Sequence, residues 1–240
     1  MNKEDLLKIY TQSSFIKNLS NQLDSTSNIN GFSGSQIAFI AAALYNLNNS
    51  NYFFIFQNKE SALIFKNDFE IISKETALLF TTNNKKINSA KEITQNTRSL
   101  FEINADKKNI LISFKDAINQ KTPNNSNFQS KVLKIKIGNK INTHTFIENL
   151  YENNFENVEF VTSPGEFSIR GYIIDVFSFS NNAPYRIVLT DDTIESITVF
   201  EIETQLSIKQ IKEIVIVPNI ENSKLIESNS SIFSHLKKNT

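Results

Sequence analysis

The chain has 240 residues, room for one large domain or two small ones, and 40% of them are hydrophobic, which indicates a folded protein. Lys and Arg total 25, as do Asp and Glu, so the chain has no net charge with which to attract nucleic acid or an anionic membrane. The absence of Cys excludes disulfides, thiolate catalysis and sulfur-ligated metals, and the 2 His residues argue against a His-rich metal site. We therefore expect no metal or other cofactor.

The N-terminal sequence MNKEDLLKIYTQSSF has no long apolar core, and no stretch of the chain approaches the ~18 apolar residues of a membrane span. A cytoplasmic protein without a membrane partner is expected. Asn, Ile, Lys and Phe are abundant whereas Arg and Gly are sparse, which is typical of drift in an AT-rich genome. A retained Arg or Gly is accordingly a stronger sign of function here than an isolated Asn or Lys.

The first half of the chain alternates apolar runs with helical patterns. This rhythm predicts an open α/β sheet, in which the strand YFFIF is buried on both faces and Ser35 caps the helix that precedes it. The predicted helices lie at 5–23, 35–47, about 62–72 and about 90–101, and the predicted strands at 52–56, 76–80 and 109–114.

The pattern changes after about Lys121, where the turn-forming sequence QKTPNNSNFQS indicates a domain boundary. Beyond it, short alternating runs joined by tight turns predict a small antiparallel α+β module. The predicted domains are an α/β domain at 1–121, the module at 131–207, and a returning strand with a truncated end of the first domain at 208–240. Within the second half, strands are predicted at 132–138, 158–162, 170–180, 185–189, 193–202 and 211–219, and one helix at 143–154.

The segment from Gly31 to Phe39 stands where a nucleotide-binding domain places its phosphate loop, immediately before a helix. A working loop needs a Lys for the phosphates and a Ser or Thr for Mg²⁺, yet Gln36 and Ile37 follow Gly34-Ser35. This favours a structural helix start over a nucleotide site, and no ATP hydrolysis is expected.

Two other groups of charged residues have a functional and a structural interpretation. Asp191, Asp192 and Glu195 could hold Mg²⁺, but turn geometry between two strands accounts for them better. Lys134 and Lys136 alternate with apolar residues, which is typical of a soluble strand face, and no aromatic alternates with them to stack bases.

Arg170 and Arg186 stand in consecutive strand-like segments that can pair as a hairpin, so the two guanidinium groups can share one face. Arg offers a rigid fork of donors that suits carboxylates at a protein interface. The alternative is structural: both arginines pair with Glu166, Asp175 or Asp191 within the chain.

The run PGEFSIRG-x-IIDVFSFS-x-x-x-PYRI, followed by D-D-x-I-E-S-I and TQLS, resembles the UvrB-type interaction domain of bacterial transcription-repair coupling factors and of the excision nuclease subunit UvrB. The upstream segments GFSGSQ-x-AF and FKNDFE resemble the N-terminal region of the coupling factor family. The resemblance extends from about Leu6 to Val217.

The resemblance implies a degenerate helicase-like, RecA-type (P-loop-like) open sheet with an inserted module that docks UvrA, the damage-recognition ATPase of nucleotide excision repair. RNA polymerase and DNA contacts belong to parts of the family that this chain does not contain. The family's UvrA-binding residues match Arg170 and Arg186, with Tyr185 and Phe177 as supporting side chains. At the third matching position the family's aromatic is replaced by Thr190.

The leading hypothesis is a non-enzymatic adaptor that recruits UvrA in transcription-coupled nucleotide excision repair. One alternative is a fragment of a UvrB-type nucleotide-dependent DNA-processing enzyme, which Gln36 disfavours. Another is a decayed, truncated gene product, which Thr190 and the AT-driven drift favour.

Overall fold

The computed structural model describes residues 2–22, 31–82, 90–105, 107–221 and 230–236. The chain forms two compact units, the first comprising Met1–Thr81 with Ala105–Ile118 and the second Thr82–Asn104 with Asn119–Thr240. Within the described ranges, no helix has the length and apolar character needed to cross a membrane. The domain bounds 1–121, 131–207 and 208–240 stay a prediction.

The secondary structure mixes helices and strands throughout. The helices are α1 (Lys3–Gln12), α2 (Ser14–Asn21), α3 (Gln36–Leu47), α4 (Lys59–Ser73), α5 (Ala90–Glu102), α6 (Lys115–Ile118), α7 (Asn125–Ser130) and α8 (Thr143–Glu152), with a 3-10 helix at Ile232–His235. The strands are β1 (Tyr52–Phe56), β2 (Leu78–Leu79), β3 (Ile110–Phe114), β4 (Leu133–Lys136), β5 (Glu156–Asn157), β6 (Glu166–Arg170), β7 (Ile173–Val176), β8 (Tyr185–Thr190), β9 (Thr193–Phe200), β10 (Ser207–Ile211) and β11 (Glu213–Ile216).

The single N-terminal helix predicted at 5–23 is instead two helices, α1 and α2, separated by Ser13. The backbone of Ser13 is extended, with φ −65° and ψ 142°, and its Oγ accepts a hydrogen bond of 3.2 Å from the Ile16 N–H. Ser13 therefore ends α1 and caps α2, because a short hydroxyl side chain replaces the missing helical hydrogen bond.

The first unit contains a parallel three-stranded sheet in the order β1-β3-β2, as the α/β pattern predicts. The central strand β3 is buried along its whole length. Ile55 of the edge strand β1 is 47% exposed, so the predicted burial of β1 on both faces is wrong. The other edge strand, β2, is buried, so the packing over each face of a strand, and not its place at the edge of the sheet, determines its burial.

The helix α3 carries a buried stripe of alanines and ends beside a lysine from the start of β3. Lys108 Nζ donates hydrogen bonds to the backbone oxygens of Tyr45 and Asn48, the latter at 3.1 Å, and lies 3.8 Å from the centre of the Tyr45 ring. A cation at a helix C-terminus complements the negative end of the helix dipole. Lys108 therefore anchors the end of α3 to the sheet.

The second unit contains a six-stranded sheet in the order β10-β9-β8-β7-β6-β5, antiparallel except for the β5–β6 pair. A separate antiparallel pair joins β11 to β4. One face of the six-stranded sheet packs on α8, and the shared core includes Phe146, Leu150, Phe167, Ile174, Ile187 and Ile197.

Two strand predictions for this unit are wrong. The apolar run VEFVT at 158–162 is irregular, and only the short strand β5 precedes it. The run at 170–180 is also not one strand, because β6 ends at Arg170, a turn follows at Gly171 and Tyr172, and β7 begins at Ile173. Gly171 has a φ of +62°, the left-handed conformation that such a tight turn requires.

A short clasp joins two remote parts of the second unit. The Thr122 N–H donates to the Ser230 carbonyl at 3.0 Å, and the Ser230 hydroxyl donates to the Thr122 carbonyl at 2.6 Å. The buried His235 ring lies with its Nε2 2.7 Å from the Pro123 carbonyl and meets the Phe128 ring edge-on. Residues 230–236 are thus tied to the segment 122–128.

Candidate functional site

Arg170, Arg186 and Thr190 lie on the face of the six-stranded sheet that is turned away from α8. Along β8, Ile187 and Leu189 belong to the core, so Arg186 and Thr190 project to the opposite face because side chains alternate along a strand. The register pairs Asp175 with Ser168 on one side and with Arg186 on the other. We call the outward surface formed by Arg170, Asp175, Arg186 and Thr190 the arginine face.

The two arginines do not lie on adjacent strands, as the predicted hairpin required. Arg170 is the last residue of β6 and Arg186 lies on β8, with β7 between them. Asp175 on β7 therefore stands between the two guanidinium groups.

The Asp175 carboxylate bridges both arginines. Its Oδ1 accepts from Arg186 Nε at 2.8 Å, and its Oδ2 accepts from Arg186 Nη2 at 2.9 Å and from Arg170 Nη2. The Asp175 side chain is only 1% exposed, so its charge is shielded from water and compensated by these two cations. The pairing with Asp175 that the structural interpretation anticipated is present, whereas Glu166 binds the backbone N–H groups of Thr162 and Ser163.

Arg186 has further partners besides Asp175. Its Nη1 donates to the Gln205 carbonyl at 3.0 Å, and its guanidinium lies 4.7 Å from the centre of the buried Phe200 ring. The hydrogen bond to Asp175 raises the pKa of Arg186, against an opposing effect of burial. With its side chain 18% exposed, Arg186 is largely part of the packed sheet.

Arg170 is the more accessible of the two arginines, with 41% of its side chain exposed. Its guanidinium lies 5.9 Å from the centre of the Phe160 ring, within the range of a cation–π contact. Phe160 is 52% exposed, and the segment that carries it is held to β6 by a 3.1 Å hydrogen bond from Ser168 Oγ to the Glu159 carbonyl. Phe160 is not among the predicted site residues, because the apolar run 158–162 that contains it predicts a strand.

Thr190 lies at the end of β8, before a two-residue turn formed by Asp191 and Asp192. Both aspartates have positive φ, 47° and 63°, which agrees with the turn geometry predicted for them. Thr190 Oγ1 donates to Glu195 Oε2 at 2.6 Å, and both residues are exposed. Across the described part of the chain, no three His, Asp or Glu side chains are grouped to hold a metal ion.

The two predicted supporting residues pack beside the arginines in different ways. Phe177 is buried in one cluster with Val161 and with Phe200, the ring that Arg186 covers. Tyr185 packs against the core on the other face, and its hydroxyl accepts a hydrogen bond from Asn181 Nδ2. Burial raises the pKa of Tyr185, which keeps its hydroxyl neutral.

In the first unit, the loop before α3 contains Gly31 and Gly34, both at positive φ. The predicted Ser35 cap is wrong, since its side chain makes no capping hydrogen bond. Instead Gln36 Oε1 accepts from the Ser33 N–H at 3.0 Å. The residue that stands where a phosphate-binding lysine is expected therefore folds back on its own loop.

Comparison with known proteins identifies relatives of this sequence. Residues 133–221 match the UvrB interaction domain. The chain is 27% identical over 222 residues to the transcription-repair-coupling factor of Bacillus subtilis, covering 87% of this chain and 19% of that protein. The identity is 29% over 226 residues for the factor of Borreliella burgdorferi, covering 91% and 20%, and 32% over 165 residues for that of Rickettsia conorii, covering 69% and 12%.

The chain thus spans about a fifth of the length of the first two of these relatives. The similarity includes most of this chain, and the domain match contains every residue of the arginine face. These matches confirm the resemblance found in the sequence: the chain is related to the bacterial transcription-repair-coupling factors and carries a UvrB interaction domain at residues 133–221.

Proposed function

We propose that this chain is a non-catalytic adaptor, corresponding to the N-terminal part of a transcription-repair-coupling factor, that recruits UvrA in nucleotide excision repair. The observation that carries the proposal is Arg170, a partly exposed guanidinium on the sheet of a UvrB interaction domain. The arginine face is the docking surface.

Several physical properties support a protein partner for this face. Arg170 and Arg186 project from paired strands rather than from loops, so little conformational freedom is lost when a partner binds. A guanidinium makes strong charge-assisted hydrogen bonds with carboxylates, and Asp175 already holds both groups in position. Tyr185 and Phe177 stabilise the strands that carry them.

For the first unit we propose a degenerate RecA-like fold without nucleotide chemistry. Its parallel sheet and the glycine-containing loop before α3 support the fold, and Gln36 supports the loss of phosphate binding. This unit and the interaction domain would act together in the cytoplasm, whereas contacts with RNA polymerase and DNA belong to other parts of the full-length family.

The decisive experiment is a titration of the purified 240-residue chain with the UvrA protein of the same genome, followed by calorimetry or interferometry. We expect a saturable complex without ATP or any activating step. The absence of association with a chain shown to be folded by circular dichroism would refute the proposed function.

A further inference from the structure

The two arginines of the docking surface differ in how many of their donors are already used. Arg186 donates hydrogen bonds from Nε and Nη2 to the Asp175 carboxylate and from Nη1 to the Gln205 carbonyl. The face of its guanidinium group covers the Phe200 ring. Each of these bonds would have to break before Arg186 could turn to a partner. Arg186 therefore has little capacity left for an incoming carboxylate.

Arg170 is in the opposite situation. Among the residues that the structure describes, its ion-pair partner is Asp175 alone, reached through Nη2. A guanidinium has five N–H donors, so most of those on Arg170 remain for a carboxylate arriving from solvent. Its greater exposure points the same way.

The charges around Asp175 also do not balance. Two guanidinium groups share one carboxylate, so the cluster retains one positive charge. Arg170 is the more exposed of the two cations, so it is the one that a partner reaches more easily. A single acidic side chain on a binding partner would complete the cluster, with a shared carboxylate on each side of Arg170.

Phe160 gives this charged position an apolar neighbour. Its ring lies 5.9 Å from the Arg170 guanidinium and is 52% exposed, so a partner that reaches Arg170 also meets this ring. An aromatic ring beside an arginine is typical of the centre of a protein interface.

We infer that Arg170 and Phe160 together contact the partner, and that Asp175 and Arg186 are positioning residues that hold Arg170 in place. The fitting partner segment presents one carboxylate next to an apolar side chain. This inference rests on the proposed function, with UvrA as the protein that carries the segment.

The test measures the affinity of UvrA for the full chain and five variants, together with the thermal unfolding midpoint of each. We expect Arg170→Ala to weaken binding about ten-fold or more and Phe160→Ala about five-fold. Phe160→Ala should leave the unfolding midpoint unchanged, whereas Arg170→Ala should lower it while the chain stays folded, because Asp175 loses one of its two cations and keeps Arg186. Phe160→Leu should retain most of the affinity, because it keeps an apolar surface. Ile208→Ala removes another exposed apolar side chain, on the far edge strand β10, and should change nothing.

The Arg186→Lys variant tests whether Arg186 positions the cluster or contacts the partner itself. The substitution keeps the positive charge but removes the planar set of N–H donors that binds Asp175. It should lower the unfolding midpoint while leaving the affinity within about two-fold of the parent. The salt dependence of binding gives an independent measure. It should flatten in Arg170→Ala, which loses the contacting charge, and persist in Arg186→Lys.

Each outcome has a separate meaning. If the parent chain does not bind UvrA, the proposed function is refuted and this inference with it. If the parent binds and both Arg170→Ala and Phe160→Ala bind equally well, only the inference is overturned and the docking surface lies elsewhere. If Arg186→Lys stays folded but loses as much affinity as Arg170→Ala, the unequal roles are wrong; if both Phe160 variants unfold, Phe160 is structural.

Discussion

Arg186 and Asp175 face each other on neighbouring strands and are joined by two parallel hydrogen bonds of 2.8 and 2.9 Å. A bidentate pair of this kind fixes the guanidinium plane as well as its distance. The pair lies on a carboxylate that is only 1% exposed, so its loss should destabilise the second unit more than the loss of a surface ion pair.

We predict that Asp175→Asn lowers the free energy of unfolding by about 3 kcal/mol, because it leaves two guanidinium groups facing a neutral amide in a buried position. Urea unfolding followed by circular dichroism measures the change. Asp192→Asn is the matched control, since this exposed turn residue at positive φ accepts Asn readily. Equal stability of the two variants would show that the Asp175 cluster contributes nothing to the fold.

The chain should not bind or hydrolyse ATP, because Gln36 replaces the cation that phosphates require and its amide already occupies the loop. A fluorescent ATP analogue titrated with micromolar protein in the presence of Mg²⁺ measures binding, and released phosphate measures hydrolysis. Saturable binding that unlabelled ATP displaces would contradict this prediction and favour the UvrB-type enzyme alternative.

Thr190→Phe should tighten binding to UvrA, because an aromatic ring on the same face as Arg186 adds apolar contact surface. At ~25 cal/mol per Å² and on the order of 50–80 Å² gained, the difference is about 1–2 kcal/mol, or roughly ten-fold in affinity.

Thr190 also donates to Glu195, so a control must separate the added ring from the lost hydroxyl. Thr190→Val removes the hydrogen bond with almost no change in size, and its affinity should match that of the parent. An affinity of Thr190→Phe no higher than that of Thr190→Val would mean that no partner surface complements a ring at this position.

Stability should fall on acidification because of His235. Burial lowers the pKa of this imidazole, more than its hydrogen bond to the Pro123 carbonyl raises it. The unfolded chain therefore binds a proton more readily than the folded chain, so stability is highest above an ordinary His pKa of about 6.5 and declines as the pH falls from there towards the lower folded value.

Thermal unfolding at a series of pH values between about 5 and 8 measures this decline. His235→Gln keeps a donor for Pro123 but cannot titrate, so part of the dependence should vanish in that variant. His144→Gln is the control, because His144 lies exposed on α8, where its Nδ1 is 3.4 Å from Glu148 Oε2. A parent and a His235→Gln variant with superimposable pH profiles would rule out the role of His235.

Much of the interaction domain was predictable because apolar residues alternate along strands such as β8. There the buried Ile187 and Leu189 alternate with more exposed neighbours, so the strand and the tight turn at Asp191 followed from the pattern. In β9 a register shift opposite Leu189 places the buried Ile194 and Ile197 three residues apart, and simple alternation does not predict that shift. The partner of the arginines was not predictable in the same way. The pairing register of β6, β7 and β8 decides that Asp175 is the residue between Arg170 and Arg186. The alternation of apolar residues along each strand does not by itself determine this register.

Apolar content misled the prediction at 158–162. Val161 is buried with Phe177 and Phe200, whereas Phe160 is exposed beside Arg170. The apolar residues of this run therefore pack on other side chains without forming a strand of the sheet. At the N-terminus, helical spacing continued across Ser13 although its hydroxyl interrupts the helix. The resemblance, by contrast, rested on an extended motif, and the similarity of the whole chain confirmed it.

The clasp between Thr122 and Ser230 has a topological consequence. These two residues flank the interaction domain, and inside it the strand near its start, β4, pairs with the strand near its end, β11, so the two ends of the domain lie side by side. A domain whose ends meet in this way can be placed within the loop of another fold without separating the two ends of that loop. Loops inside such a domain can differ in length between relatives while the two ends of the domain stay next to each other.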